Sequence, residues 1–129
     1  MPTGSKRILV VEDEKDVAGL LRARLEANGY GVHVEETGRD ALKDAQATRP
    51  DLVILDLMLP DMNGYAVCEE LRMRYSSWAL PVLMLTAKDQ PRDQLRGYSS
   101  GADAYLTKPY DAKELLSVIA ELLRDAAPK

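Results

Sequence analysis

Five polar side chains stand at the ends of short aliphatic or β-prone stretches in different parts of the sequence. They are Glu12, Asp13, Asp56, Thr86 and Lys108. If those stretches are strands of one parallel sheet, their carboxyl ends meet at one edge and the five side chains converge. Carboxylates ~5 Å apart repel by about 3 kcal/mol per pair at an effective dielectric of ~20, so three of them require a cation. Because the available ligands are oxygens, the predicted ion is Mg²⁺, with Mn²⁺ as its substitute.

This combination of groups indicates phosphoryl chemistry. A carboxylate beside a metal ion, an ammonium group and a hydroxyl donor is suited to an incoming phosphoryl group. Asp56 is the candidate nucleophile, since a carboxylate can form an aspartyl phosphate when a metal disperses the developing charge. Lys108 and Thr86 are predicted to face the same pocket. A competing interpretation, in which residues 12–14 only cap a helix, explains one acidic position but not the other strand ends.

The elements that must position these side chains form one repeated pattern, a short β-rich stretch followed by an amphipathic helical stretch. Five such units fit the chain, with strands predicted at residues 8–11, 32–35, 52–55, 82–85 and 104–107. The apolar residues predicted to face inward are Val17, Leu20, Leu21 and Leu25 in the first helix, Ala41, Leu42 and Ala45 in the second, Val67, Cys68 and Leu71 in the third, Leu95 and Tyr98 in the fourth, and Leu115, Leu116, Ile119, Leu122 and Leu123 in the fifth.

Turn and capping residues mark where these helices begin and end. Asn28-Gly29 is predicted to stop the first helix, Thr37 to begin the second and Asn63-Gly64 to precede the third. Asp111 and Glu114 form a predicted capping box for the last helix. The fourth helix, opened by Pro91 and carrying glycines at 97 and 101, is predicted to be short or mobile.

The strands at residues 8–11 and 52–55 are almost continuously aliphatic, which is typical of a parallel sheet covered by helices on both faces. The predicted fold is therefore a doubly wound five-stranded α/β domain. A chain of 129 residues suits a single such domain.

Composition excludes several other classes of protein. A net charge of -4 offers no basic surface, so we expect no direct nucleic-acid binding. The longest apolar runs are far shorter than the roughly 18 residues of a membrane span, so we expect no membrane association and a cytoplasmic location. The single cysteine, Cys68, is predicted to be a buried thiol, and His33 to face solvent away from the acidic rim.

Four stretches carry a family resemblance: ILVVEDE at residues 8–14, DLVILDLMLPDMNGYAVCEELR at 51–72, PVLMLTA at 81–87 and GADAYLTKPYDAKELL at 101–116. They closely resemble the receiver domain of two-component response regulators, of the chemotaxis-regulator-like kind. The resemblance spans about residues 5–124 and leaves 125–129 as a tail or the start of a linker. It implies a flavodoxin-like sheet with strand order 2-1-3-4-5.

The resemblance also implies roles at the acidic edge. Asp56 matches the phosphoacceptor, which receives a phosphoryl group from a sensor histidine kinase or a phosphotransfer protein. Glu12 and Asp13 match the acidic pair that binds Mg²⁺, and the backbone carbonyl of Met58 matches a further ligand. Lys108 matches the lysine that pairs with the phosphoryl group.

A second set of matches concerns the response to phosphorylation. Thr86 matches the hydroxyl residue that moves towards the phosphoryl oxygens, with the small Ala87 beside it. Tyr105 matches an aromatic switch residue that turns inward when the threonine moves, although simple packing would also explain it. The peptide bond before Pro109 is expected to be cis. An effector or output domain is expected at the face formed by the fourth helix, fifth strand and fifth helix.

Alternative functions make different demands on the same positions. A haloacid-dehalogenase-like phosphohydrolase needs a second acid where Met58 stands. A flavodoxin-type cofactor binder needs a phosphate loop after the first strand, where residues 12–14 would repel phosphate. A degenerate receiver that acts as a phosphorylation-independent docking module remains open. In the preferred interpretation the domain is not an enzyme, although it assists its own phosphorylation and dephosphorylation.

One departure from the family pattern concerns output. Receivers joined to winged-helix DNA-binding domains usually carry an aspartate and an arginine that pair across an activated dimer, at the positions of Ala104 and Val118. We therefore expect a stand-alone receiver or one from another kind of multidomain regulator.

Overall fold

The computed structural model describes residues 5–125. The strands are β1 (Arg7–Val11), β2 (Gly31–Glu35), β3 (Leu52–Leu55), β4 (Val82–Thr86) and β5 (Ala104–Thr107). The helices are α1 (Lys15–Ala27), α2 (Gly38–Thr48), α3 (Gly64–Arg74), α4 (Pro91–Ser99) and α5 (Ala112–Asp125). Of the predicted tail at 125–129, residues 126–129 lie outside the described residues.

The five strands form one parallel sheet in the order β2-β1-β3-β4-β5. The order reverses between β1 and β3, and a crevice outside the carboxyl ends of the strands is expected at such a point. This topology confirms the predicted doubly wound, flavodoxin-like fold.

Helices cover both faces of the sheet because alternate strand residues point to opposite sides. Ile8 and Val10 of β1 join a buried cluster with residues of α1 and α5, whereas Leu9 and Val11 join one with residues of α2 and α3. The central strand β3 is at most 2% exposed along its length. At roughly 1.5–3 kcal/mol for each fully buried aliphatic side chain, this burial anchors the strand that ends just before Asp56.

Side-chain caps begin the helices where the sequence predicts them. Thr37 Oγ1 accepts a hydrogen bond from the Asp40 amide at 3.1 Å, and Asn63 Oδ1 accepts one from the Ala66 amide at 2.9 Å. Asp111 Oδ1 likewise accepts from the Lys113 amide at 2.8 Å. Each cap satisfies an amide that has no partner within its own helix.

Three predicted inward-facing residues are exposed instead. In α1 the buried stripe is Ala18, Leu21 and Leu25, so Leu20 lies beside it and is 59% exposed. In α4, Leu95 is 69% and Tyr98 44% exposed. The helix is nine residues long, which agrees with a short element.

Gly97 explains how α4 is placed. It is buried, and a Cβ atom at this position would lie 2.8 Å from both Met84 Sδ and Tyr105 Cδ2. The helix thus contacts the sheet through its glycine, where the backbone can approach closely, and its larger apolar side chains remain outside.

Asp61, in the loop between β3 and α3, binds the first turn of α2. Its Oδ1 accepts a hydrogen bond from the Gly38 amide at 2.8 Å and its Oδ2 one from the Arg39 amide at 2.9 Å. Desolvation alone would raise the pKa of Asp61, but the hydrogen bonds from backbone amides outweigh it and lower that pKa. The carboxylate therefore ties a loop next to the acidic edge to a helix N-terminus, where negative charge is favoured.

Asp61→Asn is expected to lower the free energy of unfolding by about 1 kcal/mol at neutral pH and low salt. Because the folded-state pKa is lowered, the stabilisation is present above the unfolded-state value of about 3.9 and is lost as the pH falls through the folded-state value. Urea unfolding of the wild type and the variant between pH 7 and pH 3 measures this. The exposed acid Glu69 supplies the control Glu69→Gln. If the difference in free energy of unfolding between the wild type and Asp61→Asn does not narrow at acid pH, the charge of Asp61 is not the source of the stabilisation.

Candidate functional site

Backbone hydrogen bonds hold the residues that follow the strands at the carboxyl edge of the sheet. The Glu12 amide donates to the Glu35 carbonyl at 3.0 Å, and the Asp56 amide donates to the Val11 carbonyl at 3.1 Å. On the other side of the sheet, the Lys108 amide donates to the Thr86 carbonyl at 2.8 Å. Glu12, Asp56 and Lys108 are thus each tied through the main chain to a neighbouring strand.

The three acidic residues come together at this edge. Carboxylate oxygens of Glu12, Asp13 and Asp56 all lie within 4.8 Å of one another. Glu12 is 3% and Asp56 6% exposed. Buried carboxylates at such separations are stable only when opposite charge or hydrogen-bond donors compensate them.

Lys108 supplies part of that compensation. Its Nζ donates to Glu12 Oε1 at 2.5 Å and to Asp56 Oδ2 at 3.0 Å. Burial lowers the pKa of Lys108, but these two hydrogen bonds outweigh it and the pKa is raised. For Glu12 the balance is reversed, since burial raises its pKa more than the hydrogen bonds from Lys108 and from the Glu14 amide lower it. The lysine is therefore a firmly protonated bridge between two buried acids.

The acidic cluster fits a hard divalent cation. Three ionised carboxylates and one ammonium group leave a formal charge of -2, which a divalent ion neutralises. All the side-chain atoms of this cluster that could bind a metal are carboxylate oxygens, the ligands that Mg²⁺ prefers. The chemistry of the donor set thus agrees with the predicted metal.

Met58 orients the central carboxylate in a way that sequence reasoning missed. Its backbone amide donates to Asp56 Oδ1 at 3.1 Å, while Asp56 Oδ2 accepts from Lys108. A Cβ atom on Gly64 would lie 2.5 Å from the Asp56 carbonyl oxygen, so glycine is required for this loop to fold back. The residue type at 58 gives no signal, because any backbone can donate an amide, but an aspartate often accepts from the amide two residues further on and this preference could have predicted the contact. The carbonyl of Met58 as a metal ligand stays a prediction.

Thr86 and Tyr105 are linked through the backbone of Lys88. Thr86 is fully buried, and its Oγ1 accepts from the Lys88 amide at 3.4 Å. Tyr105 is 7% exposed and its hydroxyl donates to the Lys88 carbonyl at 2.8 Å. Burial raises the pKa of Tyr105, so the phenol remains protonated and able to donate. The tyrosine occupies an inward position in this structure, and its switching remains a prediction.

Two further predicted positions lie beside this group. The peptide bond between Lys108 and Pro109 is cis. Ala87 is exposed, directly after the buried Thr86.

A doubly wound α/β domain with three carboxylates and a bridging lysine at its carboxyl edge has the architecture of a two-component signalling receiver. Residues 8–120 match the family described as response regulator receiver domain. The chain belongs to this family.

Curated relatives and solved structures agree. The chain is 43% identical over 120 residues to the alkaline phosphatase synthesis transcriptional regulatory protein PhoP of Bacillus subtilis, covering 93% of this chain and 49% of that protein. It is 37% identical, with a TM-score of 0.88, to the receiver domain of a signal transduction histidine kinase from Syntrophus aciditrophicus, covering 97% and 95% of the two chains. For the BeF3-activated receiver domain of Klebsiella pneumoniae RstA the identity is 32%, the TM-score 0.88 and the coverage 92% and 99%.

The chain spans about half the length of the curated relatives it matches. What this chain shares with them is therefore the receiver domain. Within residues 5–125 no helix is long and apolar enough to cross a membrane.

Proposed function

We propose that this receiver domain accepts a phosphoryl group on Asp56 in the presence of Mg²⁺, taking it from a sensor histidine kinase or a phosphotransfer protein. The observation that carries the proposal is the position of Lys108 Nζ, which bonds Asp56 at 3.0 Å and Glu12 at 2.5 Å inside a cluster of three carboxylates. An ordinary surface lysine or a helix cap would not bridge two buried acids from different strands.

The metal would be held by the carboxylates of Glu12, Asp13 and Asp56, with the backbone carbonyl of Met58 as the further ligand. Mg²⁺, or Mn²⁺ in its place, disperses negative charge on the oxygens of the transferred phosphoryl group. The rest of the site is supplied by the chain itself.

In the transfer step a carboxylate oxygen of Asp56 forms a bond to phosphorus as the bond between phosphorus and the histidine nitrogen breaks. The leaving imidazole nitrogen keeps the electron pair of that bond. Lys108 already lies at hydrogen-bonding distance from Asp56 and donates to the phosphoryl oxygens once they arrive. The amide of Met58 holds the other carboxylate oxygen in a fixed direction.

The output follows from the added charge. A phosphoryl group carries about -1.5 to -2 and strong acceptor oxygens, so the buried hydroxyl of Thr86 gains a new partner when it turns towards Asp56. That movement alters the Lys88 backbone, to which Tyr105 is bonded. The exposed Leu95 and Tyr98 of α4 lie on the face where we place the effector or output domain.

Incubation with acetyl phosphate and Mg²⁺, followed by intact-protein mass spectrometry, tests the proposal. The wild type is expected to gain one phosphoryl group and Asp56→Asn none. Omission of Mg²⁺ is expected to abolish the gain, and Mn²⁺ to restore it. The neighbouring acid Asp61 is engaged with α2 rather than the cluster, so Asp61→Asn is the matched control and should still be phosphorylated. If the wild type stays unmodified, the docking-module alternative is favoured. If Asp56→Asn gains as much phosphate as the wild type, another residue is the phosphoacceptor.

A further inference from the structure

A second group of possible ligands lies between β2 and α2. His33 and Glu35 are two residues apart on β2, so their side chains share one face of the strand. Asp44 reaches the same point from α2. One ligand atom from each of these residues lies within 4.8 Å of the other two.

The hydrogen bonding of this group is incomplete. His33 Nε2 lies 2.9 Å from Glu35 Oε2 and 2.9 Å from Asp44 Oδ2. An imidazole nitrogen carries at most one hydrogen, so His33 Nε2 can donate to only one of these two carboxylates. The Asp44 side chain is only 6% exposed, and within residues 5–125 its buried Oδ2 has no assigned hydrogen-bond donor. A buried carboxylate oxygen without a donor is costly, so its position demands another explanation.

Thr48 holds Asp44 in this orientation. Its hydroxyl, one turn along the same helix, lies 2.8 Å from Asp44 Oδ1 and 3.0 Å from the Asp44 carbonyl oxygen, and the shorter contact is to Oδ1. The satisfied oxygen thus faces Thr48 and the unsatisfied one faces His33. A hydrogen bond to one oxygen of a carboxylate that leaves the other free is a common means of orienting a metal ligand.

Electrostatics at this group also favour a cation. Glu35 Oε2 and Asp44 Oδ2 each lie 2.9 Å from the same nitrogen of His33. Two carboxylates therefore compete for one imidazole. His33 itself is 63% exposed, so an ion can reach the group from solvent.

We propose that His33 Nε2, Glu35 and Asp44 form a binding site for a divalent transition-metal ion such as Zn²⁺. One imidazole and two carboxylates are ligands that Zn²⁺ accepts, and water would complete a tetrahedral set. With bonds of ~2.1 Å, tetrahedral ligand atoms are about 3.4 Å apart, so the two 2.9 Å contacts open slightly when the ion enters. The imidazole distinguishes this site from the all-oxygen cluster at Asp56, which suits Mg²⁺.

The surroundings neither block nor complete the site. His33, Glu35 and Asp44 line an open surface depression of about 440 Å³ together with Asp40 and Lys43, whose formal charges cancel. The competing explanation is a protonated imidazole shared between two carboxylates with no metal at all.

The unique histidine provides a specific probe, since the chain has only one. Zn²⁺ is titrated into the tag-free protein while millimolar Mg²⁺ occupies the acidic cluster, and the nitrogen and carbon-bound proton signals of the imidazole are followed by NMR. We expect one histidine nitrogen to shift to the metal-bound range at one equivalent of Zn²⁺. An unchanged imidazole spectrum would overturn the proposal and favour the explanation in which a protonated imidazole is shared between the two carboxylates.

Variants test the remaining ligands. Asp44→Asn is expected to weaken Zn²⁺ binding at least about tenfold, because the substitution removes a carboxylate that binds the metal directly. Since Asp44 is buried, the exposed His33→Gln is a second variant that leaves the core unaltered, and calorimetry should show the same loss. Asp40→Asn removes a charge from the same depression without removing a ligand and should bind almost as the wild type does. Equal affinity in Asp44→Asn, or an equal loss in Asp40→Asn, would contradict the site as drawn.

Discussion

Lys108→Ala is expected to slow the phosphorylation of Asp56 by acetyl phosphate about 10²- to 10³-fold, the usual cost of removing one preorganised donor to developing negative charge. The ammonium group already lies 3.0 Å from Asp56 Oδ2 and its raised pKa keeps it charged at neutral pH. It therefore meets the phosphoryl oxygens without having to be recruited. A time course by intact-protein mass spectrometry at saturating Mg²⁺ measures the rate.

The same substitution should act in the opposite direction on metal binding. Lys108 places a positive charge against Glu12 and Asp56, two of the proposed ligands, so its removal eliminates a competitor for the divalent ion. Mg²⁺ affinity measured by calorimetry is therefore expected to rise. A slower reaction with tighter metal binding separates the role of the lysine from a simple loss of the ion.

Lys113→Ala is the control, because this exposed lysine lies in the first turn of α5, outside the cluster. It should leave both the rate and the metal affinity almost unchanged. Phosphorylation of Lys108→Ala at the wild-type rate would show that the ammonium contacts the resting carboxylates only. In that case Thr86 and the metal would have to supply all of the compensation.

The sheet could be predicted from the sequence because its signals are local. Continuous aliphatic runs at 8–11 and 52–55 predict buried parallel strands, and the observed bounds differ from the predicted ones by at most one residue. Strand ends in turn predict convergence, which the structure shows for Glu12, Asp13 and Asp56. Strand order came from the family resemblance rather than from the pattern.

The buried faces of the helices were less predictable, because more than one set of apolar residues in the same helix has helical spacing. Leu20 satisfies helical spacing as well as Leu21 does, and only the packing against the sheet decides that Leu21 is buried. In α4 the deciding residue is Gly97, which lets the backbone approach Met84 and Tyr105. A glycine does not count as an apolar contact in a periodicity argument, so the prediction chose Leu95.

Contacts between site side chains and the backbone of loops were harder to predict. The Met58 amide on Asp56 and the Lys88 backbone between Thr86 and Tyr105 depend on how the loops after β3 and β4 fold. The side-chain contact of His33 also has no sequence signal, since the sequence predicts only that His33 faces solvent. It is 63% exposed, yet its nitrogen meets an acid of α2 that the alternation of β2 could not reveal.

Arg72 is the clearest structural residue that sequence reasoning overlooked. From α3 its Nε donates to the Gly101 carbonyl at 2.8 Å and its Nη1 to the Leu80 carbonyl at 2.7 Å. Its Nη2 pairs with Asp103 Oδ2 at 2.5 Å, and the same oxygen accepts from the Val82 amide at 2.8 Å. One side chain thus joins α3 to the segments that lead into β4 and β5.

Arg72→Ala is expected to lower the free energy of unfolding by about 3 kcal/mol, the low end of the range for breaking a buried pair, since the two side chains are 16% and 19% exposed. The loss includes two main-chain carbonyls that would be left without their donor and a carboxylate without its counter-charge. Urea unfolding at pH 7 measures the change, and the melting temperature should fall by about 10 °C.

Arg74→Ala removes an exposed arginine from the last turn of the same helix and is expected to cost little, which separates the network from helix propensity and net charge. Arg72→Lys keeps the charge but not the planar fork, so it should recover only part of the stability because one ammonium cannot serve Gly101, Leu80 and Asp103 together. If Arg72→Lys matched the wild type, charge alone would account for the effect. If Arg72→Ala lowered the free energy of unfolding no more than Arg74→Ala does, the network would contribute nothing measurable to the position of β4 and β5. The sheet alone would then have to hold the ends of those strands, where Thr86 and Lys108 lie.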